Sequence, residues 1–262
     1  MDKIAVCAIF KDESPYLLEW LAFHKMIGVD LFVLYDNSST DGGGDLIRQS
    51  SFARNVTLID WSDRPGQISA YRHFHANYAK AFTWAAFIDL DEFIMPVSGG
   101  SIRDILLRKA YESYSAIVLN WLIFGPSGHT KRPGGLVIEN FTWRIPDDAE
   151  ANRHVKSLVR TKDLVSIGST PHIFDCSGPT CNTRGEAVMS YAMQPTVCHD
   201  MMVINHYFTK SVEEWSLKRR RGRGDSLDPY GDRIFSDVQQ QSTVRDTRAL
   251  RFLPRLRALL SP

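Results

Sequence analysis

Three carboxylates directly follow an apolar run, and this arrangement constrains the fold more than any other feature. The run Trp84–Ile88 reads as a strand buried on both faces, and Asp89, Asp91 and Glu92 come next. Like charges this close repel one another and raise one another's pKa, unless a cation neutralises them. Asp89 and Asp91 lie on the same side of an extended chain. The pattern predicts a site for Mn²⁺ or Mg²⁺, and a polar helix-capping loop is the alternative.

The first half of the chain alternates between apolar strands and helices. The predicted strands are Ile4–Phe10, Leu31–Tyr35, Val56–Asp60 and Trp84–Ile88, with helices between them. Strands this apolar imply a parallel sheet that is buried on both faces. Ligands of such sheets bind beyond the carboxyl ends of the strands, so the carboxylates lie where a ligand is expected.

The second half of the chain is richer in strands. The predicted strands are Ser115–Asn120, Leu136–Ile145, His154–Val159 and Val165–Ile167, and helices are predicted after Ser211 and from about Val244. The whole pattern predicts one α/β domain with a more antiparallel second half and a basic helical tail.

Charge and hydropathy exclude several classes of protein. The 262 residues carry a formal net charge of +1, which argues against a general nucleic-acid-binding protein. Acidic residues prevail up to residue 210, whereas arginine prevails after it. No apolar stretch reaches the length of a membrane span. The N-terminal apolar run lacks a cleavage site, so we expect a cytoplasmic protein.

Polar side chains also follow the second predicted strand. Asp36 and Asn37 can hydrogen-bond the imide edge of a pyrimidine or a ribose hydroxyl. The same two residues can equally form a simple turn and cap the next helix. Their position at the sheet edge that carries the carboxylates favours a role in binding.

These strand ends together resemble a known enzyme fold. Lys11–Glu13, Tyr35–Asp41 and Phe87–Phe93, each at the end of a strand, resemble the corresponding segments of a GT-A glycosyltransferase. Within that fold the chain is similar to the DxD-containing, bacterial group of glycosyltransferase family 92 and family 2-like enzymes. Further matching segments, in the same order along the chain, are Trp121–His129, His154–Arg160 and Asn205–Trp215.

The resemblance implies a fold, a domain organisation and a set of site residues. The fold is a Rossmann-like, mostly parallel sheet with a more antiparallel acceptor half and C-terminal helices. The glycosyltransferase domain covers residues 1–225, with a nucleotide-sugar-binding half at 1–114, an acceptor half at 115–225 and a basic helical extension at 226–262. The implied metal ligands are Asp89, Asp91 and His206. The implied donor-binding residues are Glu13, Asp36, Asn37, Asp60 and Asp89.

The implied activity is metal-dependent, inverting transfer of a hexose, such as galactose, from a nucleotide-sugar donor, taken as UDP-linked, to a saccharide or glycolipid acceptor. One alternative is a non-catalytic protein of degenerate transferase fold that binds a membrane surface or a sugar nucleotide. A second alternative is an aspartate-based phosphohydrolase. Such enzymes carry D-x-D after the first strand and a small hydroxyl residue two positions on, where this chain has Phe93.

An inverting transfer needs a base for the acceptor hydroxyl. Asp147 and Asp148, in a predicted loop after Pro146, are the favoured candidates. Other carboxylates left open for this role are Glu139, Glu150, Asp175 and Asp200. Aromatic residues that could form a platform for the acceptor, or else pack in the core, are Trp121, Phe124, His129 and Trp143.

Two basic segments lie in the last quarter of the chain. The run 218–224 contains one lysine, four arginines and two glycines, which suits a diphosphate, although a solvated helix end is the alternative. Residues 244–262 alternate arginine with leucine and phenylalanine. This segment predicts peripheral contact with the inner face of a membrane, or a helix that packs its leucines on the domain. Pro254 would kink such a helix.

Overall fold

The computed structural model describes residues 3–261, so residues 1–2 and 262 of the predicted domain ranges lie outside it. The strands are β1 (Ile4–Phe10), β2 (Leu31–Asp36), β3 (Val56–Asp60), β4 (Trp84–Phe87), β5 (Glu92–Pro96), β6 (Ala116–Ile123), β7 (Trp143–Arg144), β8 (Val155–Arg160), β9 (Leu164–Ser166), β10 (Asp175–Cys176), β11 (Thr180–Cys181), β12 (Ala187–Val188), β13 (Met202–His206) and β14 (Val244–Arg245). The α-helices are α1 (Ser14–Met26), α2 (Gly43–Gln49), α3 (Gln67–Asn77), α4 (Ile102–Leu106), α5 (Val137–Asn140), α6 (Val212–Arg221), α7 (Ile234–Gln241) and α8 (Leu253–Leu260).

A mixed ten-stranded sheet forms the centre of the molecule. Strands β3, β2, β1 and β4 are adjacent in this order and parallel. Strand β8 lies antiparallel between β4 and β6, and β13 pairs with both β5 and β6. The predicted α/β fold, with a parallel first half and a more antiparallel second half, is therefore confirmed. Because β8 runs against β4, its first residues lie at the carboxyl end of β4.

Side-chain alternation along β1 explains why the sheet is buried on both faces. All seven residues of β1 are buried. Val6 and Ala8 pack with Trp20 of α1 on one face, whereas Ala5 and Cys7 pack with α3 on the other face. An uninterrupted apolar run is the sequence that such a strand requires.

The predicted strand Leu136–Ile145 is wrong in its first part, because residues 137–140 form α5. The buried carboxylate of Glu19, on α1, accepts hydrogen bonds from the backbone N–H groups of Val137 (2.6 Å) and Ile138 (3.1 Å). The first N–H groups of a helix have no partner within the helix. Glu19, which is distant in sequence, binds two of them and so favours the helical turn. Burial raises the pKa of Glu19 to about 7.

The helix predicted from about Val244 begins later than expected. The chain first forms β14, which pairs with β7, and then a 3₁₀ turn at Arg248–Phe252 before α8 begins. Asp246 follows β14, is buried, and accepts a hydrogen bond from Arg144 Nε at 2.8 Å. Pro254 lies in the first turn of α8, where proline is tolerated. It therefore does not kink a longer helix.

The apolar side chains of this tail pack on the domain. Phe252 and Leu256 belong to the main core, and the ring of Phe252 lies 5.3 Å from that of Phe23. Leu259 is the exposed large apolar residue of α8. This packing favours the second interpretation of the tail, and membrane contact through residues 244–262 stays a prediction. Among the described residues, no helix is both long and apolar enough to cross a bilayer.

Candidate active site

A cavity of about 530 Å³ opens at the carboxyl edge of the sheet. The ends of β1, β2, β4, β6 and β13 and the first residues of β8 supply its walls, and the segment 222–227 after α6 closes one side. Five of the predicted site residues line this cavity: Glu13, Asn37, Asp89, Asp91 and His206. The sheet topology therefore brings together side chains that are up to about two hundred positions apart in sequence.

Two predicted donor-binding residues, Asp36 and Asp60, are not among the residues that line the cavity. Asp36 Oδ1 accepts a hydrogen bond from the backbone N–H of Ser39 at 2.8 Å, as in a simple turn. The side chain of Asp60 is 90% exposed and lies 3.9 Å from Arg48. Their binding roles stay predictions, and this placement does not support them.

Asn37 lines the cavity, and its side-chain nitrogen already forms hydrogen bonds within the protein. Its side-chain nitrogen donates to the carbonyls of Trp61 (2.9 Å) and Asp63 (3.0 Å). The side-chain oxygen is thereby oriented and left to accept a hydrogen bond from a ligand. Asn37 is buried, so this orientation is fixed by its surroundings.

Asp91 is the most strongly paired acid of the cavity. Its Oδ2 lies 2.5 Å from Lys218 Nζ and 3.5 Å from His206 Nε2. Burial opposes ionisation of Asp91, but the ammonium of Lys218 holds the pKa of this carboxyl well below its usual range. Burial lowers the pKa of His206, so its ring is neutral at physiological pH. The carboxylate of Asp91 and the neutral ring of His206 therefore lie next to each other in the cavity.

These two side chains fit a divalent cation. Within residues 3–261, no three acidic, histidine or cysteine side chains converge on one point as a metal site. Manganese and magnesium sites of nucleotide enzymes commonly take one or two protein ligands and fill the rest with water and phosphate oxygens. Behind His206, its Nδ1 lies 3.8 Å from Glu92 Oε1, and both atoms are buried without a hydrogen-bond partner. A metal-binding histidine usually donates its second N–H to such a carboxylate.

Asp89 is held by protein groups on both oxygens. Gln67 Nε2 donates to Oδ1 at 2.6 Å, and Lys156 Nζ donates to Oδ2 at 2.8 Å. Lys156 is buried and also lies 3.5 Å from Glu92. Burial opposes the charge of Lys156, but Asp89 and Glu92 raise its pKa. Asp89 thus lines the cavity with both oxygens already bonded, and these contacts do not support its predicted role as a metal ligand.

Basic side chains from α6 and the segment after it form another wall of the cavity. Arg221 Nη2 lies 2.6 Å from Glu13 Oε1, so Glu13 positions this guanidinium. The carbonyl of Gly224 accepts hydrogen bonds from the backbone N–H groups of Gly66 and Gln67, both at 3.0 Å. These bonds hold the segment after α6 against the loop before α3.

The carboxylates proposed as base do not line the cavity. Asp147 pairs with Arg144 (3.1 Å) and with His199 (3.2 Å), and Asp148 is exposed. The other candidates, which also lie outside the lining, are Glu139, Glu150, Asp175 and Asp200. The role of Asp147 and Asp148 as base stays a prediction that their positions do not support.

Of the aromatic candidates for an acceptor platform, Trp121 lines the cavity. The candidates that do not line it are Phe124, His129 and Trp143. The cavity lining also includes Gln67, Lys156 and His172, for which the sequence pattern predicts no role. A lysine near the start of the buried strand β8 was the available signal for Lys156, since a buried lysine needs a carboxylate partner.

Known proteins with similar sequences belong to one family. The sequence model of glycosyltransferase family 92 matches residues 2–219. A family 92 protein of Oryza sativa subsp. japonica is 30% identical over 217 residues, which cover 78% of this chain and 33% of that protein. A family 92 protein of Arabidopsis thaliana is 29% identical over 175 residues, which cover 63% of this chain and 30% of that protein. The chain thus spans about a third of the length of these curated relatives.

Two solved structures resemble part of the chain. TarS of S. aureus in complex with UDP gives a TM-score of 0.42 at 13% identity, covering 61% of this chain and 47% of that chain. Glucosyl-3-phosphoglycerate synthase of Mycobacterium tuberculosis, in complex with Mn²⁺, UDP and glucosyl-3-phosphoglycerate, gives 0.37 at 14% identity, covering 62% and 58%.

Proposed function

The chain belongs to glycosyltransferase family 92, and we propose that it transfers a hexose, such as galactose, from a UDP-linked donor to a saccharide or glycolipid acceptor. The transfer depends on Mn²⁺ or Mg²⁺ and inverts the anomeric centre. The cation would be held by Asp91 and His206. Because the chain spans about a third of its curated relatives, the proposal concerns the chemistry of this cavity.

One observation carries the proposal. Asp91 and His206 present an oxygen and a nitrogen 3.5 Å apart in a cavity that Lys218 and Arg221 also line. A cation held by this pair would lie beside two fixed positive side chains. This combination suits a diphosphate, which carries its charge on several oxygens.

A bound divalent cation would stabilise the charge that develops on the departing diphosphate as a Lewis acid. The chain's own residues do the rest of the positioning. Lys218 and Arg221 offer N–H donors to phosphate oxygens, Glu13 orients Arg221, and the oxygen of Asn37 accepts from the nucleoside. Cation–π contact with Phe208, at 4.2 Å, keeps the ammonium of Lys218 over one face of the cavity.

Three further predictions complete the proposal. Asp89 binds the donor from its position between Gln67 and Lys156. The acceptor enters past Trp121, which lines the cavity beyond the carboxylates. The protein acts in the cytoplasm, with any membrane contact made through the arginine side chains of residues 244–262.

A donor screen tests the proposal. The chain is incubated with Mn²⁺ and a panel of UDP- and GDP-linked hexoses, and release of the nucleotide is followed. We expect slow hydrolysis of one UDP-hexose, because water replaces the acceptor, and we expect EDTA to abolish it. A chain that hydrolyses none of the donors, or that is indifferent to EDTA, contradicts the proposal.

A further inference from the structure

Glu92 is a buried acid directly behind His206. Strands β5 and β13 pair antiparallel, and their register sets Glu92 opposite His206. Residues directly opposite each other in a sheet project to the same face, and here Glu92 Oε1 lies 3.8 Å from His206 Nδ1. Both side chains are buried. The contact is therefore set by the pairing of two core strands.

The other oxygen of Glu92 already has partners. Oε2 accepts a hydrogen bond from the backbone N–H of Asp89 at 2.9 Å and lies 3.5 Å from Lys156 Nζ. Burial raises the pKa of Glu92, whereas the ammonium of Lys156 favours the charged carboxylate. These contacts orient the carboxylate, so that Oε1 is the oxygen that faces His206.

The ring of His206 is enclosed by aromatic neighbours. Trp121 meets it edge to face with centroids 4.5 Å apart, and Phe208 does so at 5.0 Å. Nε2 lies 3.5 Å from Asp91 Oδ2 in the cavity. On the other side of the ring, Nδ1 and the oxygen Oε1 that faces it are buried and have no hydrogen-bond partner within residues 3–261. Buried polar atoms without a partner cost free energy, and a hydrogen bond between these two atoms would remove that cost.

The position of one hydrogen decides whether His206 can bind a cation. A neutral imidazole carries a hydrogen on one nitrogen and a lone pair on the other. Binding of a cation through Nε2 therefore requires the hydrogen on Nδ1, where a carboxylate oxygen can accept it. A hydrogen-bond donor in place of that oxygen would occupy the lone pair of Nδ1 and put the hydrogen on Nε2, where it blocks the cation.

We propose that Glu92 is a positioning residue: its Oε1 accepts the Nδ1 hydrogen of His206 and so keeps the Nε2 lone pair toward the cation. The inference rests on the proposed function, because Glu92 acts only through the cation that Asp91 and His206 would hold. Among the described residues that line the cavity, Glu92 is absent. It therefore acts through His206 and touches neither the nucleotide nor the sugar.

Glu92→Gln tests the proposal, because it keeps the shape of the side chain and reverses one hydrogen bond. The amide oxygen should replace Oε2 and accept from the N–H of Asp89, which leaves the amide nitrogen to donate to His206 Nδ1. The affinity for UDP in the presence of Mn²⁺ is expected to fall about 10- to 100-fold. Calorimetric titration measures it, and the thermal unfolding midpoint checks folding.

The tautomer of His206 provides a second readout, which a merely structural role of Glu92 would not change. It is read from the ¹⁵N NMR signals of the histidine ring with UDP and Mg²⁺, and the signals are assigned by their absence from His206→Ala. We expect the hydrogen on Nδ1 in the wild type and on Nε2 in Glu92→Gln. A wild-type ring with its hydrogen on Nε2 overturns the inference, even if the variant does not fold.

Glu19→Gln is the matched control for the loss of a buried carboxylate. Glu19 also binds backbone N–H groups, those of Val137 and Ile138, but it does not line the cavity. We expect a lower unfolding midpoint and wild-type affinity for UDP with Mn²⁺. Equal weakening in both variants, or wild-type affinity in a folded Glu92→Gln chain, overturns the role of Glu92. A wild-type chain without metal-dependent UDP binding refutes the proposed function instead.

Discussion

Substitution of Asp91 by asparagine should reduce turnover of the nucleotide sugar by about 1000-fold, because it removes the charge that holds the cation beside the diphosphate. Asparagine keeps the size of the side chain and leaves His206 in place. The loss should appear in both donor hydrolysis and metal-dependent UDP binding. The measurement is the rate of UDP release at saturating Mn²⁺, with the thermal unfolding midpoint as a check on folding.

Asp60→Asn is the matched control for this substitution. Asp60 ends β3 at the same edge of the sheet, but its side chain is 90% exposed and does not line the cavity. We expect wild-type turnover in this variant. Equal losses in both variants, or full turnover in a folded Asp91→Asn chain, would contradict the role given to Asp91.

Lys218→Met should affect nucleotide binding and metal binding in opposite directions. Methionine keeps the apolar contact with Phe208 but removes the ammonium, which lies 2.5 Å from Asp91. Turnover should fall about 100- to 1000-fold, since a fixed donor to the departing phosphate is lost. Affinity for Mn²⁺ without nucleotide should rise, because the ammonium no longer competes with the cation for Asp91. Calorimetric titration with UDP and with Mn²⁺ measures both effects.

Arg220→Met provides the control on the same helix. Arg220 is exposed and does not line the cavity, so the substitution removes a positive charge of α6 without touching the site. Its UDP and Mn²⁺ affinities should match those of the wild type. If Lys218→Met and Arg220→Met weaken UDP binding equally, the net charge of the helix explains the effect and the specific role of Lys218 is wrong.

Local sequence patterns predict the first half of the fold because its strands depend on burial alone. Strand β1 needs an apolar residue on both faces of the sheet at every position, and Ile4–Phe10 supplies this directly. The helical turn at Val137 could not be predicted in this way. Its first N–H groups are bound by Glu19, which lies more than one hundred residues earlier in the chain. The late start of α8 has a related cause, because the buried carboxylate of Asp246 ties the preceding residues to Arg144.

The sequence predicts those residues of the candidate site that directly follow the end of a strand. Asp89, Asp91 and Asn37 follow strands whose order places them at one edge, and the matched motif added Glu13 and His206. Edge position does not fix the direction of a side chain, however. Asp36 and Asp60 are aligned across β2 and β3, yet the first turns back to its own loop and the second faces solvent.

The side of the cavity formed by β8 and the loop after β9 was the least predictable part, because its residues converge only after the sheet has formed. His172 lies in an irregular loop, and Lys156 is brought beside Asp89 by the antiparallel pairing of β8 with β4. A loop histidine and a strand lysine carry no periodic signal. The acids Asp147 and Asp148 are favoured by their position in a predicted loop after Pro146, but Asp147 pairs with Arg144 and His199 and does not line the cavity.

The central claim is that Asp91 and His206 hold a divalent cation that binds the diphosphate of the donor. Titration of the wild-type chain with UDP, with Mn²⁺ present and again with EDTA, tests it most directly. We predict saturable UDP binding in Mn²⁺ that is lost in EDTA and also lost in Mn²⁺ when His206 is replaced by alanine. Equal UDP affinity under both conditions, or unchanged metal-dependent binding in His206→Ala, would contradict the account.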